Sequence, residues 1–234
     1  MDPIIEIIKL SYAYPDGKQA LKDISLSIMP GEKVALVGAN GAGKSTVLLH
    51  LNGILMGNGV IRINDLEINK RNLAKIRALV GIVFQNPDDQ LFSPSVYEDV
   101  AYGPIYQGVA KHDIDERVSR ALSAVKMQDY SLRNPYHLSM GEKKRISIAT
   151  VLSMQPQILV FDEPTSGLDP RARRELIVLL SELPQTMLIA THDMALVRQL
   201  TSRIIILNHG KISADGTSKN LLSNEPLLLE NDLI

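Results

Sequence analysis

The chain holds 234 residues, with 25 Lys and Arg against 26 Asp and Glu and a formal net charge of -1. That balance argues against direct nucleic-acid binding through a large basic surface. At 45% apolar and 22% charged residues the composition is that of a globular chain with one substantial core, and the lack of cysteine excludes disulfides and thiolate-bound metal.

The start, Met1-Asp2-Pro3-Ile4-Ile5-Glu6, has no basic stretch followed by an apolar run, so no signal peptide is expected. No apolar segment nears the roughly 18 residues needed to span a bilayer. In chain order, residues 4–8 are apolar, 24–28 alternate apolar residues with Ser, and 33–37 form a buried-type run, all strand signals. Pro15-Asp16-Gly17 and Met29-Pro30-Gly31-Glu32 punctuate them as turns. A helix is expected over 44–52. Ile114, Val118, Ala121, Leu122 and Val125 recur at helical spacing, and 139–154 reads as a further long helix. Beyond it come a strand at 158–161, a helix after Pro170, a strand at 187–190, a helix after Asp193 and a strand at 204–207. This alternation predicts an α/β fold with a largely parallel sheet covered on both faces. About 94–154 shows no strand pattern and reads as an inserted helical subdomain. The tail after Gly216 reads as a short helix and a frayed end.

Gly38-Ala39-Asn40-Gly41-Ala42-Gly43-Lys44-Ser45 matches the phosphate-binding pattern G-x-x-x-x-G-K-[ST] in full. Glycines let successive N–H groups turn toward a polyphosphate, and a strand before and a helix after supply the expected context. Lys44 would reach the β- and γ-phosphates, Ser45 would ligate Mg²⁺, and Thr46 would help hold the α-phosphate.

The apolar strand Ile158-Leu159-Val160-Phe161 runs into Asp162-Glu163, at the end of a strand where open α/β sheets place their ligands. Side chains alternate along a strand, so the two acids can take separate tasks. Asp162 suits the Mg²⁺ surroundings, and Glu163 suits the base that polarises an attacking water. Asp169-Pro170 reads as a helix start, and Ser139-Met140-Gly141-Glu142 reads as a capping box. His192 lies in a loop after a strand.

Together, the phosphate loop, Gln85, Leu138-Ser139-Met140-Gly141-Glu142, Asp162-Glu163, Ser166-Gly167-Leu168-Asp169 and His192 resemble the ATP-binding-cassette ATPases over nearly the whole chain. The resemblance implies a P-loop NTPase nucleotide-binding domain with a RecA-like core, an antiparallel β patch and a helical subdomain. The expected single domain is 1–234, with the core at about 1–92 and 155–222 and the helical part at about 93–154. It also implies a head-to-tail homodimer with two Mg-ATP between the copies, Ser139 and Gly141 of one copy meeting the ATP of the other. Tyr14 matches the aromatic that stacks on adenine, whereas Tyr12 alternates with Leu10 as a core residue would. By the same resemblance Gln85 would touch Mg²⁺ and the water, His192 the γ-phosphate, and Asp169 the second subunit. One departure stands out: Leu-Ser-Met-Gly-Glu replaces the usual Leu-Ser-Gly-Gly-Gln, which puts Met140 and the charge of Glu142 where the partner's ATP would approach.

Gln85-Asn86-Pro87-Asp88-Asp89-Gln90-Leu91-Phe92, Val96-Tyr97-Glu98-Asp99-Val100-Ala101-Tyr102-Gly103-Pro104, Tyr14-Pro15-Asp16-Gly17 and Lys143-Lys144-Arg145 resemble the energy-coupling-factor group of uptake transporters. The chain ends soon after its last core helix, so the cobalt/nickel type is expected over the vitamin type. The implied partners are integral membrane transport subunits. The implied location is cytoplasmic, peripheral on the inner face of the membrane. Asp88, Asp89, Leu91 and Phe92 are expected to line a groove for a basic helix of such a subunit. A cassette ATPase acting on DNA or ribosomes is the other reading. The DNA-repair kind separates its halves with a long coiled coil, and only 52 residues lie between Gln85 and Leu138; the ribosome-linked kind carries two cassettes.

Overall fold

The computed structural model describes residues 2–233; Met1 and Ile234, the ends of the expected domain range, lie outside the described residues. The strands are β1 (Ile5–Ala13), β2 (Gln19–Ile28), β3 (Lys33–Val37), β4 (Asn58–Ile63), β5 (Leu66–Glu67), β6 (Val80–Val83), β7 (Ile158–Asp162), β8 (Thr186–Ala190), β9 (Arg203–Asn208) and β10 (Lys211–Thr217). The helices are α1 (Lys44–His50), α2 (Leu73–Leu79), α3 (Val96–Tyr106), α4 (Lys111–Ala124), α5 (Met140–Leu152), α6 (Pro170–Glu182), α7 (Met194–Leu200), α8 (Ser218–Leu222) and α9 (Glu225–Glu230).

Two sheets form the α/β architecture. An antiparallel sheet has the order β2-β1-β4-β5, and a six-stranded sheet has the order β10-β9-β3-β8-β7-β6. In the larger sheet all neighbours are parallel except the edge pair β10 and β9. The period-2 alternation of its strands divides the core. Ile158 and Val160 of β7 and Leu188 and Ala190 of β8 join β1, β2 and α1 in one cluster. Leu159, Phe161, Met187 and Ile189 face the other way, into a cluster with α3 to α7. Burial of both faces explains why these strands read as continuous apolar runs.

Between β6 and β7 the chain is helical, without a strand among the described residues. Gly81 of β6 shows how this region is seated. A Cβ there would lie 2.0 Å from Cγ1 of Val151, so only glycine lets α5 pack this tightly on the sheet edge.

Several elements differ from the sequence reading. β1 and β2 are longer than expected, because each carries an irregularity with a left-handed residue, Lys9 (φ 51) and Asp23 (φ 57). Ser25 Oγ accepts from Lys9 N at 2.9 Å and Ser11 Oγ accepts from Asp23 N at 2.9 Å, so the displaced backbone groups stay paired. The tail is not frayed through Glu230. It forms α8 and α9, with Leu221, Leu222 and Leu227 packed on the Ala35 and Val37 face of β3.

Candidate functional site

The phosphate loop links the C-terminal end of β3 to α1. A Cβ at Gly38 would lie 2.2 Å from the Leu207 carbonyl oxygen, and one at Gly43 would lie 2.8 Å from that of Ala20. Gly43 also has φ +108, where side-chain-bearing residues are strained. Lys44 is buried, and its Nζ donates to the carbonyls of Gly38 at 2.7 Å and Ala39 at 3.2 Å. Its ammonium is thus already poised over the loop.

β7 and β8 deliver the acid end. Burial pushes the Asp162 carboxyl above the usual carboxylate range, Glu163 adds to the push, and the Ser45 hydroxyl and Lys44 pull against it. Glu163 is 7% exposed. Its Oε2 accepts from Thr191 Oγ1 at 3.2 Å and from His192 N at 3.3 Å, and lies 2.9 Å from His192 Nδ1. The Glu163 backbone is left-handed, with φ 44. The His192 loop is anchored from behind. Asp193 caps α7 through Ala195 N (3.0 Å) and Leu196 N (2.9 Å), accepts from Thr165 Oγ1 at 2.8 Å, and pairs with Arg173 of α6. Although burial pushes its carboxyl up, the Arg173 bond and these donors outweigh it and hold Asp193 below the usual range. Asp193→Ala is expected to lower stability by about 2 kcal/mol, roughly one for the cap and one for the partly exposed ion pair. Chemical denaturation measures this; a loss below about 0.5 kcal/mol, the level of an ordinary surface substitution, would show that the anchor is redundant.

One cleft of ≈ 520 Å³ is lined by Tyr14, Asn40, Gly41, Gly43, Lys44, Ser45, Thr46, Gln85, Asp162, Glu163 and His192. Tyr14 hydroxyl lies 3.0 Å from Thr46 Oγ1, so the aromatic is tied to the phosphate loop. Tyr12 packs on the core beneath it, edge-on to Tyr14 and to His50. Gly38, Ala39 and Ala42 support the loop from outside the lining.

Ser139, Gly141 and Asp169 are not in this cleft. They sit at the adjoining starts of α5 and α6, where a Cβ at Gly141 would lie 3.2 Å from that of Ala172. The capping box is present: Glu142 Oε2 accepts from Ser139 N at 2.8 Å and from Ser139 Oγ at 2.9 Å. Tyr130 hydroxyl donates to Glu142 Oε1 at 2.6 Å and is the main reason this carboxyl lies below its ordinary range. Asp169 caps α6 through Arg171 N and Ala172 N. Met140 is 41% exposed beside them.

Sequence reasoning missed Lys18, Lys22, His209 and Gly210, which also line the cleft. The β9–β10 turn carrying His209 and Gly210 is pressed on β2, where a Cβ at Gly210 would lie 2.4 Å from the Ala20 carbonyl oxygen. No periodicity marks such a contact; the Gly after a strand was its only signal. Leu91, expected as exposed apolar surface, is 2% exposed, because it fills the cluster beneath α3 and α5. Asp88 pairs within the chain, with Lys143 Nζ at 2.7 Å.

The donor set fits Mg²⁺, which takes one or two carboxylates plus substrate phosphates rather than a protein cage. No group of three or more His, Asp or Glu suited to a metal exists among the described residues.

Residues 21–166 match the family model described as ABC transporter. An energy-coupling factor transporter ATP-binding protein of Methanothermobacter thermautotrophicus is 48% identical over 231 residues, covering 96% of this chain and 74% of that protein. Among solved structures, CbiO1 of Clostridium perfringens, part of the ABC transporter complex CbiONQ, is similar with a TM-score of 0.87 and 38% identity over 100% of this chain and 96% of that one. The ATP-binding cassette MJ0796, seen as a dimer bound to ADP and Pi, is similar with a TM-score of 0.81 and 26% identity, covering 92% of this chain and 98% of that one. With a glycine-rich phosphate loop, an acid pair and a histidine meeting in one cleft of this fold, the chain belongs to the ABC transporter ATP-binding family and is an ATPase.

Proposed function

We propose that this ATPase energises a membrane importer of the energy-coupling-factor type, with cobalt or nickel as the solute. The observation that carries the chemistry is the convergence of Lys44, Asp162, Glu163 and His192 on one cleft. Glu163 takes the proton of the attacking water, and His192, 2.9 Å from it, holds the γ-phosphate side of the reaction. Lys44 and the loop N–H groups of 38–43 bind the phosphates, and Tyr14 stacks on adenine. Ser45, Gln85 and Asp162 hold Mg²⁺, which neutralises charge on the phosphate oxygens when bound. The unit is a single ATPase domain, core at about 1–92 and 155–222, helical part at about 93–154.

The starts of α5 and α6 act in trans. A second copy, packed head to tail, brings Ser139, Gly141 and Asp169 to the first copy's ATP; the dimeric cassette with ADP and Pi supports this arrangement. Glu142 accepts from Ser139 N and Oγ and from Tyr130, so its charge stays at the start of α5, and it and Met140 are the two side chains that oppose the approaching phosphate. Met140→Gly is therefore expected to keep or raise ATP-driven dimerisation, measured by size exclusion in a Glu163→Gln background. Loss of the dimer would make Met140 a required contact.

No helix among the described residues is long and apolar enough to cross a membrane, so solute passage falls to integral membrane subunits, with the ATPase peripheral on the cytoplasmic face. An apolar groove of ≈ 920 Å³, lined by Ile54, Ala78, Ile82, Phe84, Tyr106 and Val109 with Lys75, Arg77 and Arg117 at its walls, offers a place for a helix from such a subunit beside the Asp88–Phe92 stretch, whose Phe92 is exposed. Likeness to the energy-coupling-factor relative and to CbiO1 supports the importer and the metal-ion type within it. The test is ATP-dependent uptake of Co²⁺ and Ni²⁺ by vesicles holding the ATPase and its membrane subunits. Uptake of a vitamin and of neither metal would move the chain to the vitamin type.

A further inference from the structure

Among the largest fully buried side chains of the described residues is a lysine, Lys144 of α5, at 1% exposure. A buried ammonium is costly unless it is paired and hydrogen-bonded, so the position invites an explanation. Its Nζ donates to two backbone carbonyls from different segments, Gln85 at 2.5 Å and Glu163 at 3.2 Å. Burial pushes its pKa down to about 8, and the negative field of Asp162 and Glu163 offsets that only in part. Gln85 leaves β6 and Glu163 leaves β7, the two strands that flank the helical insertion. One side chain of the insertion therefore holds the exits of both.

The Glu163 end is the more telling. Its left-handed backbone, φ 44, is sparsely populated for a residue with a side chain and persists only where the surroundings over-determine it. Three bonds do so here: Glu163 N to Ala190 O at 2.9 Å, Ser166 N to Glu163 O at 3.1 Å, and the lysine. The first two come from the sheet and from the local turn. The third alone comes from α5, whose N-terminus carries Ser139 and Gly141.

We propose that Lys144 is a positioning residue for hydrolysis, pinning the Gln85 and Glu163 carbonyls to α5 so that the Glu163 carboxylate stands in line for the attacking water. A shift of α5 is then transmitted through one ammonium to both segments of the cleft. The proposal rests on the reading of Glu163 as the base. It differs from simple core packing, because a packing role needs the volume of Lys144 but not its donors.

The test uses the full chain and steady-state ATPase kinetics. Lys144→Met keeps the volume and removes the donors. It is expected to lower kcat about 10–100-fold, the scale of an ångström-level misplacement, with KM and the Kd of Mg-ATP within about threefold. Lys144→Gln, which retains two N–H donors, is expected to recover kcat to within about fivefold of wild type. In a Glu163→Gln background Lys144→Met should cost less than about threefold more, since groups acting as a unit are non-additive. A Lys144→Met kcat within threefold of wild type, a Lys144→Gln as poor as Met, or a full further loss in the Glu163→Gln background would each overturn the proposal. Should Lys144→Met fail to fold, Lys144→Leu carries the same cycle, with the same losses expected and the same results overturning the proposal. Near-normal turnover of Glu163→Gln alone defeats the general-base reading, and the proposal with it. A strong loss in Glu163→Gln beside a near-normal Lys144→Met defeats only the lysine.

Discussion

Glu163→Gln is expected to lower kcat for ATP hydrolysis by about 10²–10⁴-fold, the scale for losing a general base, while ATP affinity stays within a few-fold of wild type. The amide matches the carboxylate in size, so the bonds that Oε2 accepts from Thr191 Oγ1 and His192 N can be kept by the amide oxygen. What it cannot do is take a proton. The neighbouring Asp162, Ser45 and Lys44 are untouched, so phosphate and Mg²⁺ binding persist. The ATP-bound dimer should live longer, because the step that ends it is slowed. Single-turnover hydrolysis and equilibrium nucleotide binding, measured on the same preparation, separate the two effects. Turnover within threefold of wild type would remove Glu163 from the role of base.

The sequence was most legible where one local rule sufficed. The phosphate loop needs glycine at fixed offsets, and the strand ending in Asp162-Glu163 is an apolar run bounded by charge; both stand where the pattern put them. The capping box at Ser139 and Glu142 was equally local and is present. Legibility failed where the determinant was a distant contact. β6 is only Val80-Gly81-Ile82-Val83, and its glycine answers to Val151, far along the chain in α5. β1 and β2 are longer than their patterns suggest because the irregularities at Lys9 and Asp23 break the alternation.

In the basic run Lys143-Lys144-Arg145 the partners of the charges were hidden for another reason. On a helix of 3.6 residues per turn successive side chains diverge by about 100°, so three adjacent charges need not share a face. Here Lys143 reaches Asp88, Arg145 reaches Glu175 at 2.8 Å, and Lys144 turns inward to the cleft backbone. No local rule names the partners of these charges, and the fold makes three separate attachments, one of them buried. The cleft itself follows the same division. Its phosphate end was readable from the chain, but Lys18, Lys22 and His209 reach it only because the β9–β10 turn and β2 are packed against each other.

Lys44→Met is expected to weaken ATP binding by about 2–5 kcal/mol, the loss when one member of a desolvated charge pair is truncated; at about 1.4 kcal/mol per tenfold this is roughly 30- to several-thousand-fold in Kd. The side chain is buried at the start of α1 and its Nζ rests on the carbonyls of Gly38 and Ala39. The charge is therefore held at the loop before any nucleotide arrives, and little ordering cost is left to be met on binding. Methionine fills nearly the same volume, so the core contacts around α1 and the sheet should survive, although the carbonyls of Gly38 and Ala39 each lose a donor. Binding of a fluorescent ATP analogue gives Kd, and the thermal midpoint of the nucleotide-free protein reports the fold. The expected pairing is a large rise in Kd with a midpoint shift of a few degrees at most. A Kd within threefold of wild type would mean that the loop N–H groups alone carry the phosphates. A collapse of the midpoint would instead show that the lysine's bonds to Gly38 and Ala39 are what hold the loop in shape.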